Sequence, residues 1–308
     1  MSFSYDTKNE LCKLAQGGTC CAVAECYGML LFGNTFSPRE IRIITGNKML
    51  GRRIAALFKY AFSIELDVMP DMGIHGKQAY IITDPDKLCR VFRAYGFSTE
   101  SLVALHVNLG VLEEDCCRRS FIRGTFLTGG AITNPEKSYH LELVTDHFSV
   151  SRETYSLLLD MGFFPKEAAR GGNYILYFKQ SSAIEDFLTL IGAPLAAMDI
   201  MSTKIEKDMR NSVNRKVNCD TANVTKTVDA AAAQIEAIKK IELTRAFETL
   251  SEKLRQTALL RLQNPELSIK ELAEISNPPV TKSCLSHRLR KLIELSEYKA
   301  EQGYRARK

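Results

Sequence analysis

Two pairs of adjacent cysteines, Cys20–Cys21 and Cys116–Cys117, are the residues whose types most readily suggest chemistry. Four thiolates form a common ligand set for zinc. Two arguments oppose a zinc site: the CxxC spacing of such sites is missing, and adjacent residues on a helix point about 100° apart. The sequence therefore favours structural thiols, and we expect no metal and no cofactor.

A second set of potential metal ligands lies in a predicted strand and just after it. His140 and His147 lie close to Glu142 and Asp146. The surrounding segment SYHLELVT alternates polar and apolar residues, as a sheet with one wet and one dry face requires. A solvated sheet face is therefore the favoured interpretation, and a metal site is the weaker alternative.

The segment NPELSIKELAEISNPPVTKSCLSHRLRKL, residues 264–292, predicts a short helix, a proline turn and a second, basic helix. Ser268 and Glu271 have the spacing of a capping box, and Leu272, Ala273 and Ile275 would form the apolar side of the first helix. Pro278 and Pro279 cannot continue that helix. A second helix is expected to start at about Thr281, which is a suitable N-cap residue.

The second helix has the layout of a DNA recognition helix. Its apolar stripe consists of Leu285, Leu289, Leu292 and Ile293, and short polar and cationic side chains occupy the opposite side. The alternative is an ordinary amphipathic helix with a charged outer face. Because the turn exceeds the three or four residues of a simple helix-turn-helix, a sigma-factor-like variant is favoured.

Specific roles follow from the side chains on the exposed side. Arg290 has the two-pronged shape that reads a guanine edge, and Ser283 and His287 can bond to bases or phosphates. Lysines would neutralise phosphates. The predicted DNA-binding residues of this helix are Thr281, Lys282, Ser283, Ser286, His287, Arg290 and Lys291.

Two further cations precede the long helical region of the C-terminal part. Arg210 and Arg215 lie in the polar segment DMRNSVNRKVNCDTANVTKT, residues 208–227. We assign them as candidate phosphate contacts, with a solvated connecting helix as the alternative. Residues 221–263 contain no glycine or proline and predict one or two long helices.

An internal repeat with an offset of 96 residues organises the first two thirds of the chain. Cys20, Gly28, Leu31 and Gly33 recur as Cys116, Gly124, Leu127 and Gly129. Residues 77–96 and 172–192 each predict a strand, a turn and an amphipathic helix that ends in glycine. Two such units indicate a pseudo-symmetric α+β domain over about residues 1–200.

Charge is distributed unevenly along the chain. Residues 1–200 carry 20 Lys and Arg against 22 Asp and Glu, whereas residues 201–308 carry 21 against 14. A basic C-terminal part on a near-neutral body points to a polyanionic partner, most often nucleic acid. No segment has the features of a signal peptide or a membrane span. We therefore expect a cytoplasmic, nucleoid-associated protein whose nine cysteines are reduced.

Three segments resemble those of WhiA, the sporulation-type transcriptional regulators of Gram-positive bacteria. They are RNSVNRKVNCDTANVTKTVDAAAAQIEAI, NPELSIKELAEISNPPVTKSCLSHRLRKL and CCRRSFIRGTFLTGGAI with YHLEL. The similarity covers nearly the whole chain and is weakest in the first repeat, around YGMLLFGNTF. It implies an N-terminal domain like those of LAGLIDADG homing endonucleases and a helix-turn-helix like region 4 of sigma factors.

The resemblance also implies what has been lost. In active homing endonucleases each motif helix ends in an acidic residue, and the two acids hold the divalent metals for phosphodiester cleavage. Alignment of GMLLFGN and GTFLTGG with that motif places Gly33 and Gly129 at these degenerate former metal positions. Glycine provides no side-chain oxygen for a hard cation. We therefore expect no nuclease activity and no catalytic residues.

The sequence as a whole predicts a two-part DNA-binding regulator without enzymatic activity. The expected fold class is α+β, with a duplicated LAGLIDADG-like domain at 1–200 (repeats about 1–97 and 98–200). A helical linker at 201–245 and an all-α helix-turn-helix domain at 246–308 follow. Double-stranded DNA is the expected partner. The near-neutral charge of the N-terminal domain favours contacts with RNA polymerase or another regulator, and a second DNA-contacting surface is the alternative. A homing-type endonuclease and a nonspecific nucleoid-associated protein are the alternatives.

Overall fold

A computed structural model describes the backbone of residues 2–70, 76–100, 104–243 and 247–305, and the side chains of these residues up to 297. The chain forms two compact units, Met1–Asp208 and Met209–Lys308. The boundary between them falls inside one long helix. Among the described helices, none combines the length and the apolar character that crossing a bilayer would demand.

The first unit is α+β and contains the predicted duplication. Its first half comprises α1 (Phe3–Cys12), α2 (Thr19–Leu31), β1 (Thr35–Ser37), β2 (Glu40–Thr45), α3 (Lys48–Phe62), β3 (Gln78–Ile82) and α4 (Pro85–Ala94). Its second half comprises α5 (Asp115–Gly129), β4 (Gly130–Ile132), β5 (Leu141–Thr145), α6 (Phe148–Asp160), β6 (Lys166–Arg170), β7 (Asn173–Phe178) and α7 (Ser181–Ile191). The twin helices α2 and α5 begin 96 residues apart, which is the offset read from the sequence.

Each half builds its own antiparallel sheet. The first has the strand order β1-β2-β3 and the second β4-β5-β7-β6. Ile43 pairs with Tyr80 in the first sheet, and Leu143 pairs with Leu176 in the second. Residues of β5 alternate between buried and half-buried, so the predicted dry face of this strand is present.

The last helix of each half ends at a glycine in a left-handed conformation. Gly96, which follows α4, has φ +76°, and Gly192, which caps α7, has φ +96°. Glycine adopts this conformation without the steric penalty of a Cβ atom, which is why it so often terminates helices. The two predicted glycine stops are therefore explained by the same local requirement.

The twin helices cross at the centre of the first unit in backbone-to-backbone contact. A Cβ atom added to Gly28 would lie 2.1 Å from the carbonyl oxygen of Phe121, and one added to Gly124 would lie 2.1 Å from the carbonyl oxygen of Glu25. Phe121 and Glu25 are themselves 96 residues apart. The duplicated glycines thus permit a symmetric close approach that no other residue would allow.

A buried ion-pair cluster lies beside this crossing. The side chain of Glu25 is 1 % exposed, and its Oε1 accepts a hydrogen bond from Arg53 Nε at 2.5 Å. Its Oε2 is 2.8 Å from Arg53 Nη2 and 3.2 Å from Arg123 Nη1. Glu25 on α2 thereby connects α3 of its own half with α5 of the other half.

The second unit is entirely helical among its described residues. It contains most of the 49-residue helix α8 (Pro194–Glu242), followed by α9 (Glu252–Gln263), α10 (Ile269–Ile275) and α11 (Lys282–Arg305). Its core combines Ile238 and Ile241 from α8 with Leu254, Leu272 and Leu289 from the three later helices. The long helix begins at Pro194, earlier than the predicted linker start at residue 201.

Candidate nucleic-acid interface

The predicted proline turn between two helices is present in the second unit, between α10 and α11. The Ser268 Oγ accepts a hydrogen bond from the Glu271 backbone N–H at 3.4 Å, and Glu271 Oε2 accepts one from the Ser268 N–H at 2.8 Å. This reciprocal pair confirms the capping box at the start of α10. Thr281 immediately precedes α11, and its Oγ1 accepts a hydrogen bond from the Cys284 N–H at 3.3 Å, as an N-cap residue does.

Three leucines hold α11 in place. Leu285, Leu289 and Leu292 are each 1 % exposed and belong to the core that includes Leu272 and Ala273 of α10. Full burial of a leucine side chain contributes about 2–3 kcal/mol relative to exposure. The helix is therefore anchored along one side, which leaves the other side for a ligand.

One residue of α10 that was predicted to be buried is exposed in the structure. Ile275 is 50 % exposed, although it was expected to pack with Leu272 and Ala273. The helix ends at Ile275, and the chain continues in an extended conformation at Ser276. The side chain thus lies at the end of a helix of only two turns, where its apolar surface is incompletely covered.

The polar residues that were predicted to bind DNA lie on the free side of α11 or at its tip. All but one are exposed, and Ser286 is half-buried; the exposed residues are Thr281, Lys282, Ser283, His287, Arg290 and Lys291. Their positions follow from the helical period, since 283, 287, 290 and 291 fall on one side when 285, 289 and 292 face the core.

The exposed side of α11 is positively charged over only part of the length of the helix. Within the described part of the chain, no carboxylate lies within 4.0 Å of the charged groups of Lys282, Arg290 or Lys291. The exposed Glu294 follows Arg290 by about one turn. The basic face is thus confined to the N-terminal turns of α11, which is the part of a recognition helix that contacts base edges.

A buried arginine that the sequence argument missed supports the loop before α10. Arg261 is 1 % exposed, and its Nε donates a hydrogen bond to Gln234 Oε1 at 2.9 Å. Its Nη1 donates to the Leu267 carbonyl at 2.7 Å. Burial lowers the pKa of this guanidinium below its ordinary value. Its position within the apolar run ALLRL was the available signal, since a charged residue there must be buried and hydrogen-bonded.

Arg210 and Arg215 lie on α8, on a different element from the other predicted DNA-binding residues. Both side chains are exposed. Arg215 Nε donates a hydrogen bond to the Asn211 carbonyl one turn earlier, at 3.3 Å. Both cations are therefore accessible to a polyanion.

The two glycines that the family resemblance predicts at former acid positions lie at the end of α5 and just beyond the end of α2. Gly129 is the last residue of α5, and a Cβ atom added there would lie 2.5 Å from the Val144 carbonyl oxygen and 2.9 Å from Phe32 Cβ. One added to Gly33 would lie 2.7 Å from the Met29 carbonyl oxygen. Neither position offers an oxygen ligand, and the surroundings leave no space for a side chain without a local shift.

The four paired cysteines contradict the geometric argument made from the sequence. The Sγ atoms of Cys20, Cys21, Cys116 and Cys117 all lie within 4.8 Å of one another. The expectation that adjacent residues diverge too far to share a site is wrong, because each pair begins one of two helices that pack closely together. In the described residues, this is the sole group of three or more His, Cys, Asp or Glu side chains with converging donor atoms. The side chains of His140 and His147 each pair with one carboxylate close in sequence, Glu142 at 3.3 Å and Asp146 at 3.2 Å.

Comparison with known proteins gives a consistent result over both units. The WhiA LAGLIDADG-like domain matches residues 118–210, and the WhiA C-terminal HTH domain matches residues 213–296. The "probable cell division protein WhiA" of Ruminiclostridium cellulolyticum is 39 % identical over 96 % of this chain and 97 % of its own. That of Desulforudis audaxviator is 36 % identical over 97 % of each chain.

A solved structure shares the architecture. The crystal structure of full-length DUF199/WhiA from Thermatoga maritima superposes with a TM-score of 0.60 at 27 % identity and covers 97 % of this chain and 99 % of that one. A LAGLIDADG-like α+β part followed by a helical HTH part is therefore the fold class, as the sequence predicted.

Proposed function

This chain belongs to the WhiA family, and from that membership and the geometry of α11 we propose that it is a sequence-specific DNA-binding transcriptional regulator without nuclease activity. The observation that supports the proposal best is the exposed basic face of α11, anchored from behind by buried leucines. Its relatives are described as probable cell division proteins, which suggests cell-division genes as targets, and the family resemblance adds sporulation genes. We place the protein in the cytoplasm, on the nucleoid.

Each residue of the face has a role in this proposal. Arg290 reads a guanine through two parallel hydrogen bonds, and Ser283, Ser286 and His287 bond to neighbouring bases or phosphates. Thr281, Lys282 and Lys291 position the helix on the phosphate backbone of double-stranded DNA. The first unit then serves contacts with RNA polymerase or another regulator, in keeping with its near-neutral charge.

The direct test of sequence specificity is to identify the DNA that the protein occupies. Protein and DNA are crosslinked in cells, and the DNA that co-purifies with the full chain is sequenced. We expect a recurrent short sequence upstream of a limited set of genes. Uniform recovery of the chromosome would instead support the nonspecific nucleoid-associated alternative.

Arg210 and Arg215 should contribute affinity without specificity. In the Arg210→Ala/Arg215→Ala variant, we expect the slope of log K against log salt concentration to become shallower by about 2, since each phosphate contact contributes about 0.9. The loss should be the same on the cognate sequence and on random DNA. Titrations of labelled duplexes over a range of salt concentrations measure both quantities.

Lys240→Ala is the matched control for these arginines, because Lys240 is an exposed cation on the same helix that is paired with Glu236 at 2.8 Å. It should leave the salt slope unchanged. A slope that Arg210→Ala/Arg215→Ala also leaves unchanged would remove both arginines from the proposed interface.

The proposal also predicts that the first unit cuts no DNA. Hard divalent cations need oxygen ligands, and the two former acid positions are glycines. Incubation of the full chain with Mg²⁺ and supercoiled plasmids that carry the identified sites should leave the plasmids intact over hours. Site-specific linear products would favour the endonuclease alternative.

A further inference from the structure

The thiol cluster, which we define as Cys20, Cys21, Cys116 and Cys117, is the feature that DNA recognition leaves unused. Its four Sγ atoms lie within 4.8 Å of one another, and the Cys116 and Cys117 Sγ atoms are 4.0 Å apart. One pair comes from each half of the duplicated unit. The cluster therefore lies between the two halves, at the N-terminal ends of the twin helices α2 and α5.

The close packing of the twin helices explains why the thiols converge. Gly28 and Gly124 bring the two backbones into contact about two turns after the cysteines. Gly17 has φ +69° and lies close to Cys21. A Cβ atom added to Gly17 would lie 3.3 Å from the Cβ atom of Cys21. The convergence thus depends on the fold and does not depend on a local metal-binding motif.

The separation of the sulfur atoms suits one soft metal ion. Tetrahedral zinc with Zn–S bonds of about 2.3 Å requires sulfur atoms about 3.8 Å apart, so the observed cluster needs only small side-chain rotations to close around an ion. Mg²⁺ and Ca²⁺ do not suit four sulfur ligands, because these ions need oxygen donors. A polynuclear iron–sulfur cluster would hold its cysteines farther apart, since several irons and sulfides lie between them.

The electrostatic surroundings act in both directions on the four thiols. Burial raises the pKa of Cys117 above its ordinary value, and the hydrogen bond with Cys21 raises that of Cys116. The N-terminus of each helix carries a partial positive charge of roughly half an elementary charge, which stabilises thiolates in the first turn. Although partial burial opposes it, hydrogen bonds from Cys116, Ser120 and Cys20 and from the Gly18 N–H lower the pKa of Cys21 below its ordinary value. Asp115 in the first turn of α5 acts in the opposite direction.

Access to the cluster is open on one side. Cys20 and Cys116 are exposed, Cys21 is half-buried and Cys117 is buried. An ion can therefore enter from solvent and be held from behind by the helix pair. Zinc binding would release up to four protons to solvent, one from each thiol, with no change of oxidation state.

We propose that the thiol cluster is a structural zinc site that clamps the two halves of the first unit together. It is distinct from the lost nuclease metal site, because Gly33 and Gly129 lie at the other ends of the same helices, about 20 Å away at 1.5 Å per residue.

The test uses the full chain, purified under reducing conditions and stripped with a chelator. Addition of zinc should restore one equivalent per chain by elemental mass spectrometry. Addition of cobalt should give the intense visible bands of a tetrahedral site together with thiolate-to-cobalt charge-transfer absorption. Binding far below one equivalent per chain would overturn the proposal.

Alkylation of the wild-type chain locates the site without any substitution. Zinc should protect four of the nine cysteines from iodoacetamide, and peptide mapping should identify them as the thiol cluster. Protection of other cysteines, or disulfides within the cluster under the same reducing conditions, would contradict the assignment.

Two matched variants complete the experiment. Cys21→Ser/Cys116→Ser should lose the cobalt charge-transfer band and the zinc equivalent, whereas Cys219→Ser should keep both, because Cys219 is an exposed thiol on α8 outside the cluster. Retention of the zinc equivalent and the cobalt spectrum by the double variant would overturn the proposal. Alkylation of the unmodified chain gives a decisive result even if the double variant fails to fold.

Discussion

Glu25→Ala is expected to destabilise the first unit by about 3–5 kcal/mol, the largest effect of any single substitution that we predict. The side chain of Arg53 is only 3 % exposed, and it would lose the carboxylate that accepts two of its hydrogen bonds. Burial opposes ionisation of Arg53, yet the hydrogen bonds and charge of Glu25 raise the pKa of this guanidinium above its ordinary value. The variant loses this stabilisation, but an arginine guanidinium stays protonated in a protein. Its buried charge would therefore remain without a carboxylate.

Thermal and urea unfolding of the full chain measure this loss. Glu65→Ala is the matched control, because Glu65 also pairs with a cation, Lys59, but both side chains are exposed. We expect little change in the control, since exposed ion pairs contribute little. Equal, small changes in both variants would mean that the cluster of Glu25, Arg53 and Arg123 does not hold the two halves together.

Arg290→Ala is expected to lower affinity for a cognate site by about 1–3 kcal/mol, or roughly 5- to 150-fold. The reason is the loss of a bidentate contact with a guanine edge, which alanine cannot replace. Affinity for random DNA should change much less, because nonspecific binding depends on the summed phosphate contacts. Competition titrations at one fixed salt concentration measure both affinities.

Arg255→Ala is the control for this prediction. Arg255 is an exposed arginine of the same unit, on α9, and it is paired with Glu252 at 2.6 Å. The control removes the same charge and should cost the same small amount on both DNAs. If Arg290→Ala also lost equal affinity on both, the nonspecific nucleoid-associated alternative would gain support.

Local signals in the sequence predicted local structure well. The Ser268 and Glu271 spacing predicted the capping box, and the glycines at 96 and 192 predicted the ends of two helices. The leucine stripe from Leu285 to Leu292 predicted which side of α11 is buried. Each of these depends on hydrogen bonds or a periodicity within a few residues, so the sequence contains all the information required.

Features that depend on packing over long sequence distances escaped prediction. The thiol cluster joins residues 96 positions apart. The helical period predicts the directions of side chains within one helix, but it does not predict which other helix packs beside it. The buried ion pairs of Glu25 were not predicted for the same reason. An acidic residue within the apolar segment CCAVAECYGML was nevertheless a signal of a buried partner.

The break between α8 and α9 also lacks a local signal in the sequence. Residues 221–263 contain no glycine or proline, yet α8 ends at Glu242 and α9 begins at Glu252. Ile241 before the break and Leu254 after it belong to the same core. Tertiary packing of the apolar faces therefore overrides the helical propensity of this segment.

Site-specific photo-crosslinking tests most directly whether α11 is the element that reads DNA. A photoreactive phenylalanine analogue is placed at His287, which is exposed on the basic face, or at Phe164, an exposed aromatic position of the first unit. The account predicts an adduct between position 287 of the full chain and bases of the cognate duplex. An adduct from position 164 with none from position 287 would contradict it.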